Sequence, residues 1–135
     1  MKSIVLDCSI VMAWCFEDEA SRETDALLDS LTNRSARVPS IWTLEVANVL
    51  LVAERAHRLK EAETAQFLAL LQSLPIHVEV DTSQYALREI LALGREHHLS
   101  SYDAAYLELA MRKGLPLATK DHRLRQMAAK LGIES

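Results

Sequence analysis

The chain has 135 residues, half of them hydrophobic and a quarter charged, with a formal net charge of −4. That length suits one domain with a core of its own, closed without disulfide or metal staples. The acidic balance argues against wholesale electrostatic binding of nucleic acid, and no apolar run approaches the roughly 18 residues of a membrane span.

The opening residues show no leader pattern, since the apolar signal there is only Ile4, Val5 and Leu6. With two Trp, three Tyr and two Phe, the core should be built from Leu, Val, Ile and Ala. Cys8 and Cys15, seven residues apart, read as free buried thiols of a soluble cytoplasmic protein.

Ser3–Leu6 is a short apolar run ending at Asp7, the pattern of a buried strand. A short helix is expected from Ser9 to Phe16 and a second from Glu19 to Leu31. Ala36–Val38 reads as a brief strand closed by Pro39, and Ser40 as the N-cap of a helix from Ile41 to Ala56. Its expected core stripe is Trp42, Val46, Val49, Leu50 and Ala53. A helix from Lys60 to Leu74 follows closely enough to form a helical hairpin with it.

Pro75 ends that helix, Ile76–Val80 alternates as a strand, and Thr82 opens a helix reaching about His97. Ser100 or Ser101 caps the next helix, Gly114 ends it, and Leu115–Thr119 is a strand. Asp121 to Leu131 reads as the last helix and Gly132–Glu134 as an edge strand. Short apolar strands alternating with helices indicate an α/β sandwich, a small parallel sheet with helices on both faces.

Four acids stand out against this framework. At about 100° per residue, Tyr106, Leu107, Ala110 and Met111 fall within about 80° of Asp103, so that acid sits in an apolar arc. A carboxylate facing a core is costly unless paired, protonated or metal-bound. Asp103 also follows Ser100 as an early-turn acid favoured by the helix dipole. Asp7 and Asp121 each follow a strand, where an α/β sheet delivers side chains to its crevice, and each could equally cap the helix behind it. Glu45 lies about 20° from Val52 and about 40° from Val49, on the margin of a buried face, unless it snorkels to solvent. If the four converge, oxygen-only ligands select a hard ion, Mg²⁺ or Mn²⁺.

The charge is uneven. Residues 17–29 carry Glu17, Asp18, Glu19, Glu23, Asp25 and Asp29 against Arg22 alone. Residues 112–130 carry Arg112, Lys113, Lys120, Arg123, Arg125 and Lys130 against Asp121 alone. Solvated helix faces and a basic rim for a polyanion both fit that pattern.

In four places the chain resembles PIN-domain nucleases, most closely the VapC-type toxins of bacterial toxin–antitoxin pairs. The matching stretches are VLDCS at Val5–Ser9, LEVANVL at Leu44–Leu50, SSYDAAYLELA at Ser100–Ala110 and LATKD at Leu117–Asp121. They come in family order and span essentially the whole chain. The resemblance implies a single PIN-like three-layer sandwich over 1–135 and a metal-dependent endoribonuclease with Asp7, Glu45, Asp103 and Asp121 as its acidic centre.

Asp7 and Asp103 would then hold Mg²⁺ or Mn²⁺ directly, with Asp121 direct or through water. Glu45 would orient the attacking water or accept its proton. Ser9 and Thr119 match hydroxyl positions that support the acids, although an N-cap and a strand-end Thr explain them as well. Asn48, one turn after Glu45, reaches the site or is an exposed helix polar. Lys120 and Arg123 would contact the RNA backbone, and the products would be a 3′-hydroxyl and a 5′-phosphate. Where some relatives carry a further acid, this chain has His122 and Arg123.

The family further implies a homodimer held inactive by an antitoxin whose C-terminal segment crosses the acidic groove. The acidic segment 17–29 or the hairpin Ile41–Leu74 could serve either contact. The other histidines read as surface residues, Tyr102 as helix-start packing, and Trp14 and Trp42 as core or interface. Two other readings remain: a non-catalytic binding module of the same fold, and an aspartyl-phosphate phosphatase. Phosphatases of the haloacid dehalogenase type usually need a second Asp where this chain has Ser9. Carboxylates and a metal also do not by themselves distinguish RNA from DNA.

Overall fold

The computed structural model describes residues 2–135. Its centre is β1 (Ile4–Leu6), whose three residues are all buried, as a strand covered on both faces requires. β2 (Ala36–Val38) pairs with β1 on one side, with Ile4 opposite Ala36. β4 (Leu117–Ala118) pairs on the other, with Val5 opposite Leu117. β3 (Ile76–Val78) extends the sheet beyond β2, giving the order β3-β2-β1-β4 with every pairing parallel. The order runs one way from β1 to β3 and then reverses to place β4 on the far side. That reversal opens a crevice at the carboxyl ends of β1 and β4, the place where open parallel sheets bind ligands.

α1 (Cys8–Cys15) leaves β1 directly, and α2 (Arg22–Ser30) follows a single 3₁₀ turn over Glu17–Glu19. Ser21 and Thr24 close a reciprocal capping box on α2, so the expected helix from Glu19 starts three residues later. α3 (Ile41–Arg55) and α4 (Glu61–Ser73) form the expected pair, tied by Thr64 donating to Glu54 at 2.6 Å. They part along much of their length around an apolar groove of about 480 Å³ lined by Val46, Leu50, Leu68 and Leu71.

Ser40 does not cap α3. Its backbone is already helical (φ −61°, ψ −25°), and its N–H is taken by the Thr82 hydroxyl at 2.9 Å. On α3, Trp42, Val46, Leu50 and Ala53 are buried and Val49 is half-buried. Val52, expected beside Glu45 on the buried face, is instead 54% exposed.

The stretch expected as one helix from Thr82 to His97 is α5 (Thr82–Tyr85), a π turn over Ala86–Ile90, and α6 (Leu91–His97). A π turn carries an extra residue and shifts the phase of a helix face. Here Ile90 packs against Ala104 and Ala105 while Leu87 stays exposed.

α7 (Ser101–Lys113) is the most buried helix, with Ala104 to Ala110 continuously inside. Ser100 caps it by accepting the Asp103 N–H at 3.1 Å. It stops at Gly114, whose φ of +65° suits a residue without a Cβ. It packs on β1 and β4, with Tyr106, Leu107, Leu109 and Ala110 in the core of Val5, Leu6, Val11 and Leu117, while Ala104 and Ala105 meet Ile90. Met111, expected in the same arc, is exposed at the far end.

α8 (His122–Lys130) closes the fold. Residues Gly132–Glu134 form no strand; the Leu117 N–H donates to the Glu134 carbonyl at 2.9 Å, and the Gly132 and Ile133 N–H groups donate back to Ala129 and Ala128 of α8. Cys8 and Cys15 are both free. No helix among the described residues is long and apolar enough to cross a membrane.

Leu6 has no solvent exposure on the central strand. Leu6→Ala is expected to cost about 3 kcal/mol through lost burial and a residual cavity. The check is a lower urea midpoint at unchanged m-value.

Candidate active site

Asp7 occupies the first turn of chain after β1, at the N-cap position of α1, yet its side chain makes no cap hydrogen bond. It is 8% exposed, and its Oδ2 accepts from Thr119 Oγ1 at 2.6 Å and from Ser9 Oγ at 3.0 Å. Each hydroxyl is used twice. Ser9 Oγ accepts the Lys120 N–H at 3.0 Å, and Thr119 Oγ1 accepts the Asp121 N–H at 3.1 Å. The loop leaving β4 is thereby clipped to the carboxylate that ends β1. Both donors converge on Oδ2, and Oδ1 carries no side-chain bond among the described residues.

Asp121 does cap its helix, and with one oxygen only. Its Oδ1 accepts from the N–H groups of Arg123 at 2.9 Å and Leu124 at 3.3 Å. Glu45 projects half-buried from the first half of α3, where its Oε1 accepts the Tyr106 phenol at 2.5 Å. Asp103 is half-buried in the first turn of α7.

The electrostatics tie the four together. Burial raises the Asp7 carboxyl above the usual carboxylate range, against the bonds from Thr119, Ser9 and the Cys8 backbone, and Asp121 adds to the rise. Burial likewise raises Glu45, with Tyr106 opposing and Asp7 and Asp103 reinforcing. Asp103 is raised by burial and by Asp7 and Asp121, with Arg123 and the Ser100 hydroxyl opposing. Burial, then Glu45 and Asp7, push the Cys8 thiol up to about 12, so it stays protonated and apolar in character.

Four carboxylates from three helices and a strand end therefore share one electrostatic neighbourhood. Among the described residues no three His, Cys, Asp or Glu side chains stand in a metal-ligating group. The acids sense one another without converging on a point. Their donor chemistry, anionic oxygen with the neighbouring thiol protonated, fits a hard divalent cation. The large apolar groove between α3 and α4 is lined by none of the four.

The PIN domain family model matches residues 4–130. The chain belongs to the PIN domain family. Ribonuclease VapC3 of Pyrobaculum aerophilum is 28% identical over 121 residues, covering 90% of this chain and 91% of that protein. The crystal structure of PAE2754 from the same organism superposes with a TM-score of 0.69 at 21% identity, over 97% of this chain and 96% of that one. A toxin–antitoxin complex from Klebsiella pneumoniae gives 0.62 at 20% identity, over 98% and 96%. At these identities the structural likeness is one of fold.

In this PIN domain the remaining candidates divide. Ser9 and Thr119 stand against Asp7, whereas Asn48 is an exposed residue of α3 with no side-chain bond among the described residues. Lys120 and Arg123 are exposed, and their cationic groups donate to neutral carbonyls, of Glu19 and His98, each at 2.5 Å. Arg125 pairs with Glu23 at 3.0 Å, joining the basic and acidic segments, and Arg58 pairs with Asp18 and Glu19, so the acidic segment is partly matched internally.

Tyr102, expected to pack at the helix start, is 55% exposed. His57, His77, His98 and His122 are exposed and His97 is half-buried. Sequence reasoning missed Tyr106 as the partner of Glu45. Its place one turn after Asp103 was the available signal, masked because an aromatic there also reads as core.

The raised carboxyls bind protons more readily in the fold than in the unfolded chain. Their contribution favours the fold at low pH and is lost as pH rises through the raised values. In metal-free buffer, Asp103→Asn is therefore expected to raise the urea midpoint at pH 7 and to shrink the gain in stability on going to pH 5. A variant that is less stable at pH 7, with an unchanged pH slope, would contradict the electrostatics.

Proposed function

We propose that this PIN domain, as one nuclease domain over 1–135, is a metal-dependent endoribonuclease acting in the cytoplasm as the toxin of a toxin–antitoxin pair. The observation that carries the reading is the acid group at the sheet's switch point, with Asp7 fixed by Thr119 and Ser9. The curated relative supports RNA as substrate by its name, Ribonuclease VapC3, and the Klebsiella pneumoniae complex supports a protein antitoxin as partner.

Phosphodiester hydrolysis needs an activated water, charge stabilisation on the phosphoryl oxygens and a proton for the leaving oxygen. Asp7 and Asp103 would hold Mg²⁺ or Mn²⁺, with Asp121 direct or through water. When bound, that ion supplies Lewis-acid stabilisation and lowers the pKa of water. Glu45, with Oε1 engaged by Tyr106, takes the proton of the attacking water at Oε2. The water oxygen bonds to phosphorus, the bond from phosphorus to O3′ breaks, and O3′ takes up a proton. This leaves a 3′-hydroxyl and a 5′-phosphate.

Lys120 and Arg123 are exposed beside the acids and supply cations for the RNA backbone. A basic side chain from an antitoxin segment would occupy the same carboxylates and block them.

The test is cleavage of a mixed set of labelled RNAs by purified, antitoxin-free protein in Mg²⁺, Mn²⁺ or EDTA. Cutting in the presence of metal is expected, with Asp7→Asn and Asp103→Asn each lowering it at least about 100-fold. Cutting that survives EDTA and both substitutions would reject the acidic centre as the engine.

A further inference from the structure

Tyr106 is the largest fully buried side chain in the protein, with no solvent exposure, in the middle of the most buried helix. Its ring belongs to the main core, the cluster that also holds Leu6, Val11 and Leu107. A core position of this kind is ordinarily filled by Leu or Phe, because a buried hydroxyl without a partner is costly. Here the hydroxyl crosses from α7 to α3 and donates to Glu45 Oε1 at 2.5 Å, between residues 61 apart in sequence. With Glu45 ionised, such a bond is charge-assisted and among the stronger kinds a protein makes.

Two further facts give this bond a place in the chemistry. The acid it holds belongs to the same electrostatic group as Asp7 and Asp103. Tyr106 is also one helical turn after Asp103, so α7 presents an acid and a donor from adjacent turns. Among the four acids, Asp7 has Thr119 and Ser9 as side-chain donors, and Asp121 and Asp103 sit at helix starts with local bonds. Glu45 lies mid-chain in α3, and its one side-chain donor among the described residues is Tyr106. A flexible glutamate tethered by one oxygen to a rigid phenol keeps its other oxygen in a fixed direction.

We infer that Tyr106 is a positioning residue of the nuclease centre, acting through Glu45 by holding Oε1 so that Oε2 stays presented to the reacting water. The inference rests on the ribonuclease reading and deepens it. It assigns the core tyrosine a role in turnover and none in RNA binding.

The test compares wild type, Tyr106→Phe, Glu45→Gln and the double variant on an RNA that the wild type cuts. Phe keeps the ring and its packing, so Tyr106→Phe is expected to lower kcat about 10- to 100-fold, the usual cost of losing a group that orients a site residue. KM should stay within about twofold of wild type. In the Glu45→Gln background the same change should have little further effect, because the two groups act as one unit. An unchanged kcat in Tyr106→Phe, a loss confined to KM, or an equal loss with and without Glu45 would overturn the inference.

Urea unfolding of the same four proteins supplies a readout independent of activity. Coupling between the two positions in stability but none in kcat would assign the bond to folding alone, and so overturn the positioning role. Should Tyr106→Phe not fold, fluorotyrosine at 106 keeps both ring and hydroxyl and makes the phenol a stronger donor. It is expected to alter kcat with Glu45 present and to leave it unaltered in the Glu45→Gln background, and an unaltered kcat with Glu45 present rejects the role. A wild type that cuts no RNA fails the ribonuclease reading itself, which is distinct from an active wild type indifferent to Tyr106.

Discussion

Asp7 ends the central strand of a sheet whose interior is almost wholly aliphatic, and its carboxylate must be accommodated there at 8% exposure. Burying such a group costs several kcal/mol unless hydrogen bonds or a cation offset it. The offset within the chain comes from two hydroxyls on one oxygen, Thr119 and Ser9, and each of those hydroxyls in turn accepts a backbone N–H from the loop after β4. One carboxylate oxygen therefore ties the exits of β1 and β4 together, beside the backbone bond from the Asp7 N–H to the Ala118 carbonyl. The same arrangement leaves the second oxygen free of side-chain donors among the described residues. Fold closure and site construction depend on the same cluster of bonds.

The rest of the molecule follows from keeping that crevice open and acidic. α7 packs against β1 and β4, and its capped first turn then delivers Asp103. α3 delivers Glu45 from the other side, held by a phenol rooted in the core. The pKa directions record the cost of this assembly. Asp7, Glu45 and Asp103 are all pushed up, chiefly by burial and further by one another. A protein selected only for stability would replace at least one of them with an apolar residue. Retaining these three is a destabilisation that a bound cation would offset, and this is the physical link between the site and the proposed chemistry.

How much of this was legible in the chain varies with the range of the interaction that decides it. Strands β1, β2 and β4 and helices α7 and α8 could be read because local signals agree: apolar runs, Ser100 as cap, Gly114 as stop. Ser40 is no cap because its backbone is already in the helical region, with the Trp42 N–H bonded back to the Pro39 carbonyl. The π turn at Ala86–Ile90 was not legible because a periodic pattern assumes one pitch throughout. Gly132–Glu134 reads as a strand, yet it gives β4 one backbone bond, and its Gly132 and Ile133 N–H groups turn back to the end of α8. Within the site, the acids were visible as charge out of place, and the clip on Asp7 was half visible as hydroxyls at strand ends. Tyr106 was invisible as a site residue, since an aromatic in an apolar arc looks like core until its hydroxyl is seen to meet Glu45.

The most direct test of the account is a calorimetric titration of Mn²⁺ into antitoxin-free protein at a series of pH values from neutral downward, in two buffers of different ionisation enthalpy. If buried, mutually repelling carboxyls form the centre, binding is accompanied by proton release, and both disappear in Asp7→Asn and Asp103→Asn. Binding without proton release, or no binding to well-folded protein, would contradict it.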